Sequence, residues 1–78
     1  MIRKHQRVVF TFRTTTDAMA MENLCKEKHL GGRMIPVPGA ITADCGLAWC
    51  AAPEQEEILT NALYAAGIPV QGVYRLMI

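Results

Sequence analysis

Apolar and polar positions change period several times along the chain, and each change marks an element. Arg7-Val8-Val9-Phe10-Thr11-Phe12 is rich in β-branched and aromatic residues. It predicts a strand with Val8, Phe10 and Phe12 on one face. Val9 and Thr11 fall on the other. Thr14 to Thr16 then supply N-cap hydroxyls, with Asp17 three residues after Thr14 in capping-box spacing. A helix follows to about His29, because Ala18, Met21, Leu24 and Cys25 recur at helical spacing. Glu22, Lys26 and Glu27 lie on its other side. Gly31 and Gly32 are placed to end it as a C′ glycine would.

The second half repeats the alternation. Arg33 to Val37 predicts a strand, and Pro36 within it an edge position, since proline cannot donate to a ladder. A seven-residue connection, Pro38 to Asp44, leads to a third apolar run from Cys45 to Ala51. Pro53 at the first helical position opens a second helix, with Glu54, Glu56 and Glu57 complementing its positive end. Ile58, Leu59, Ala62, Leu63, Ala65 and Ala66 make a wide apolar stripe that Gly67 stops. Gly72 to Ile78 predicts a fourth strand. The order is βαββαβ. It implies an α+β, ferredoxin-like fold with two helices on one face of a four-stranded antiparallel sheet. The other face is expected to stay open, with Val9 and Thr11 forming part of a dimer surface.

Size and composition narrow the picture further. The chain has 78 residues, 51% hydrophobic and 19% charged. This bounds a single folded domain, read as residues 7–78 after a basic tail over 1–6. A domain of this size buries only roughly 60% of the surface of its unfolded chain, which favours an oligomer or a host complex. Net charge is +1, with a local basic excess only at Arg3, Lys4, His5 and Arg7. There is no basic stripe, and no RRM-type glycine–aromatic pattern surrounds Trp49, so nucleic acid is not an expected partner. No apolar run is long enough for a membrane span, and no charged stretch precedes an apolar signal core. Three cysteines make a poor disulfide framework and point to a reducing cytoplasm.

Candidate chemistry centres on Cys45. It opens an apolar run at a loop–strand junction, where reactive thiolates occur more often than packing cysteines. Gly46 behind it leaves room for a partner's backbone. Arg33, on the preceding strand, is a candidate cation to stabilise the thiolate. Asp44 acts against it. Cys50 lies five positions on, so in an extended strand it faces the opposite side and cannot bridge to Cys45. Cys25 belongs to the helix stripe and reads as core. His29 stands near the helix C-terminus. No spacing of these cysteines and histidines matches a zinc pattern, and no cofactor is expected.

The combination of these segments is specific. Val9-Phe10-Thr11-Phe12, Thr15-Thr16-Asp17-Ala18, Arg33-Met34-Ile35-Pro36-Val37-Pro38, Cys45-Gly46-Leu47-Ala48, Gly67-Ile68 and Gly72-Val73-Tyr74-Arg75 together resemble the selenium/sulfur carrier protein-like family over roughly Arg7 to Arg75. The most specific part is Ile-Pro-Val-Pro, six residues, then Cys-Gly-Leu-Ala. The resemblance implies a carrier and not a turnover enzyme. It implies a persulfide or selenopersulfide on Cys45, the one cysteine that matches the family's position. It also implies donor and acceptor proteins of sulfur or selenium metabolism as partners. A second reading from the residues alone is a binding or assembly module, a homodimer through the open sheet face, with Cys45 structural.

Overall fold

The computed structural model describes residues 5–41 and 43–78. Arg3 and Lys4 of the expected basic tail lie outside the described residues. The elements are β1 (Gln6–Thr11), α1 (Thr15–Lys28), β2 (Arg33–Pro36), β3 (Leu47–Ala51), a 3-10 turn (Pro53–Gln55), α2 (Glu56–Ala66) and β4 (Gly72–Met77). The strands form one sheet in the order β2-β3-β1-β4, antiparallel throughout. This is the ferredoxin-like α+β arrangement, and the proline-bearing β2 is an edge strand.

Local chemistry accounts for the element ends. The Thr14 hydroxyl accepts the Asp17 N–H at 3.1 Å, fixing the start of α1. The two helices stop in the same way. Leu30 N–H reaches Cys25 O while His29 N–H reaches Lys26 O, and Ile68 N–H reaches Leu63 O while Gly67 N–H reaches Tyr64 O. These are Schellman closures, with Leu30 and Ile68 packing back onto the core that holds Cys25 and Leu63. In α2 the left-handed residue is Gly67, as the sequence implies. In α1 it is His29, at φ 56°, and not one of the glycines. Gly32 has φ +112° for a different reason. A Cβ there would run into the Trp49 indole and come within 2.8 Å of the Cys50 carbonyl oxygen. The chain needs glycine at that point to pass close to β3.

The main core lies between helices and sheet. Val8, Phe10 and Phe12 from β1 and its exit meet Ala18, Met21 and Cys25 of α1, Trp49 and Ala51 of β3, and Leu59 and Leu63 of α2. The α2 stripe is narrower than its sequence suggests: Leu59 and Leu63 are buried, whereas Ile58, Ala65 and Ala66 are exposed.

The expected open face is not open along β1. Val9 and Thr11 are both 0% exposed. The β2–β3 connection turns at Pro38, whose carbonyl accepts the Ile41 N–H at 2.9 Å. It then lays Ile41 against Val9 and Ala48, with Ile35, Val37 and Leu76 around them. Large apolar side chains are exposed instead on α2 and β4, at Ile58, Tyr64, Val73, Tyr74 and Met77. A dimer surface built on Val9 and Thr11 is therefore ruled out by burial.

Two outcomes follow from this packing. Val9→Asp buries an unpaired carboxylate and should cost roughly 3 kcal/mol or more. Urea denaturation should show the loss as unfolding and not as dissociation of an oligomer. Gly32→Ala should cost about 2–4 kcal/mol, from left-handed strain plus overpacking against Trp49. Gly39→Ala, with nothing near its would-be Cβ, should stay within about 0.5 kcal/mol of wild type.

Candidate functional site

Cys45 lies in the connection two residues before β3, not within the strand. The strand begins at Leu47, because Gly46 adopts φ 76° and breaks the extended run. The Gly46 carbonyl still accepts the Val37 N–H at 3.0 Å, closing the base of the loop. Nothing lies within 4 Å of a Cβ placed on Gly46. The glycine thus serves the backbone turn and leaves open space beside the cysteine.

The thiol is held by one neighbour. Leu47 N–H donates to Cys45 Sγ at 3.3 Å, and Sγ lies 3.2 Å from the Leu47 carbonyl oxygen, to which the neutral thiol donates. The amide serves the thiolate and the carbonyl serves the thiol. The Cys45 side chain is half-buried against the helix-side core, together with Leu47. It is the most accessible of three free thiols, since Cys25 is 2% and Cys50 5% exposed.

A second contact ties the loop to the opposite end of the chain. Asp44 N–H donates to Gln71 Oε1 at 3.2 Å, and Gln71 Nε2 donates to Asp44 Oδ2 at 3.3 Å. Gln71 is itself anchored by its backbone N–H on the Thr11 carbonyl at 2.7 Å. The Asp44 carboxylate is thereby engaged by an amide beside the thiol. Sequence reasoning missed Gln71, and no periodicity or spacing singles it out. Arg13 lines a cleft of about 340 Å³ with Gln71 and Asp17.

Arg33 is not at this site. It pairs with Cys50 at the far end of β3, while Pro36 pairs with Leu47. Five residues separate Cys50 from Cys45, a span of at most about 16 Å. The expected Arg33–Cys45 pairing is therefore corrected. In a hairpin, the start of the first strand meets the end of the second. Cys50 lies in a row with Val9 and Arg33 on the helix-free side, opposite the face on which Cys45 packs. Among the described residues, no three of His, Cys, Asp and Glu gather as metal ligands would. No helix among them is long and apolar enough to cross a membrane.

This geometry is a single accessible thiol on a glycine turn, in a chain whose segments match one family from end to end. The model of the family described as "Putative Se/S carrier protein-like" matches residues 7–75. The chain belongs to that family. No curated protein and no solved structure matches it significantly. The match takes in both helices, β2, β3, the Cys45 turn and most of β1 and β4.

Burial pushes the Cys25 thiol up from its ordinary value of 9.0. The folded chain then holds that proton more tightly than the unfolded chain. Its contribution to stability is complete below the ordinary thiol range and is lost as pH rises through it. Urea unfolding at increasing pH above about 8.5 should show falling stability from this group. Cys25→Ala should flatten that slope while lowering stability at neutral pH. An equal slope in both proteins would contradict the assignment.

Proposed function

We propose that this protein carries a sulfur or selenium atom on Cys45 between a donor and an acceptor protein. The observation that carries the reading is the placement of Cys45. It is the one thiol of three that is both accessible and set on a turn with free space beside it. Family membership supports the same reading.

The transfer needs no added oxidant. The Cys45 thiolate attacks the outer sulfur of a persulfide on a donor such as a cysteine desulfurase. A new S–S bond forms on Cys45, the donor's S–S bond breaks, and the donor cysteine leaves as a thiolate that takes up a proton. Passing the atom on is the same exchange in reverse, with a nucleophile of the acceptor attacking the outer atom. A selenopersulfide follows the same balance. The Leu47 amide hydrogen bond stabilises the attacking thiolate. The open side of Gly46 admits the donor's backbone. On this reading the protein is not a turnover enzyme, and its partners belong to sulfur or selenium metabolism. The competing assembly-module reading loses its motivating feature, since Val9 and Thr11 are covered.

Intact-mass spectrometry tests the proposal. The anaerobic protein is incubated with a cysteine desulfurase and either cysteine or selenocysteine. Wild type should gain one chalcogen atom that a reductant removes. Cys45→Ser should gain none, and Cys25→Ala should gain as wild type does. Retention of the gain in Cys45→Ser would overturn the assignment.

A further inference from the structure

The helix-free face is covered by Ile41 over one part of the sheet only. At the other end of β3 a cleft of about 430 Å³ is lined by Arg7, Arg33, Cys50, Gly31, Gly32 and Gln55. Arg33 on β2 pairs with Cys50. Arg7 on β1 lies one residue beyond the Val8–Ala51 pair, on the same face as Val9. The two arginines thus stand on strands either side of β3. Strands are about 4.8 Å apart and the two positions are two residues out of line, so their Cα atoms are roughly 12 Å apart, within reach of two long side chains converging on one ligand.

The lining, which also includes Ala51 and Ala52, is mostly apolar surface with two arginines at it, and it has no carboxylate. Among the described residues neither arginine forms an ion pair, while Arg75 is engaged by Glu56 at 3.0 Å. The Gly31 and Gly32 N–H groups have no acceptor among the described hydrogen bonds, although the Gly31 carbonyl accepts Trp49 Nε1–H at 3.2 Å. That bond fixes the glycine pair over the cleft, and the Gln55 side chain packs at Gly31. Gly32 is held to glycine by its close approach to Trp49 and Cys50. Two arginines, the Gly31–Gly32 backbone and the Gln55 side chain therefore line one cleft.

We propose that this cleft binds a phosphate-type dianion, with Arg7 and Arg33 sharing its oxygens and the Gly31–Gly32 amides completing the contacts. Planar guanidinium forks suit tetrahedral oxyanions, and charge-assisted bonds are the strong ones. The cleft volume lies in the small-ligand range of about 300–1,000 Å³ and exceeds what a bare oxyanion fills. The ligand is therefore an organic phosphate with its head between the arginines. This site is independent of the Cys45 reading, because it lies at the other end of β3.

The test is a titration of full-length protein with inorganic phosphate and, separately, with phenyl phosphate, at constant ionic strength. Amide shifts are followed by two-dimensional NMR. Saturable shifts should be confined to Gly31, Gly32, Ala51, Ala52 and Gln55. Phenyl phosphate should bind more tightly than phosphate, and equal affinity would overturn the organic-phosphate assignment. Arg33→Gln and Arg7→Gln should each weaken binding at least roughly tenfold, while retaining the wild-type spectrum elsewhere. Cys45→Ser should bind as wild type does. Absence of saturation, shifts spread over all basic residues, or unchanged affinity in both arginine variants would overturn the site.

Discussion

Burial of β1 on both faces is the constraint on which the rest of this small domain depends. Two helices cover one face of the sheet, and that alone would leave the central strand half wet. Val8, Val9, Phe10 and Thr11 are nevertheless all 0% exposed. The second cover is a loop and not a helix. Ile41, delivered by the turn at Pro38, seals Val9 and Ala48. Burying a side chain of this size contributes about 1.5–3 kcal/mol, a large fraction of the stability available to so short a chain. The same connection carries Cys45. The packing that completes the sheet therefore also sets the position of the thiol.

This coupling positions the Cys45 turn without a strand around it. One end of the loop is closed by Val37 and Gly46, its middle by Ile41, and its far side by the Asp44–Gln71 pair. Each contact reaches a different element. A carrier thiol must be accessible, yet it must present a fixed geometry to two partners. A loop pinned at three points with a half-buried cysteine is compatible with both demands.

Much of the fold was legible because local and global preferences agree. The alternation of Val8, Phe10 and Phe12 marked the helix-side face, the Thr14–Asp17 spacing marked a real cap, and Pro36 marked an edge. The misses have physical causes. Ile41 is a lone apolar residue among proline, glycine and alanine, so no periodicity announces that it covers Val9. His29 occupies a left-handed position that glycine usually takes. The two nearby glycines drew the helix end to the wrong place, while Gly32 is required by its approach to Trp49. The pairing of Arg33 with Cys45 failed on register. Antiparallel pairing of consecutive strands alone places the first residue of β2 opposite the end of β3, so that error was avoidable from sequence. That Cys45 stands at the entry to β3 was legible, but the Leu47 contacts to its sulfur and the Gln71 contacts to Asp44 were not, because both depend on how the loop closes.

The register that removes Arg33 from Cys45 also gives the molecule two chemically distinct ends. Cys45 sits among amides and one engaged carboxylate, on the helix side. Cys50 sits below Arg33 and Arg7, on the other side and at most about 16 Å along the chain. An anion held by those arginines cannot touch Cys45 directly, and the side chains of β3 that separate the two sites are buried and close-packed. Charge at the cleft reaches the thiol only weakly over that distance in salt, since the Debye length is about 8 Å. The two sites are thus arranged for independent occupation. A partner that gripped both at once would have to wrap the end of β3 past the β2 edge, the one strand whose proline keeps its outer side free of pairing.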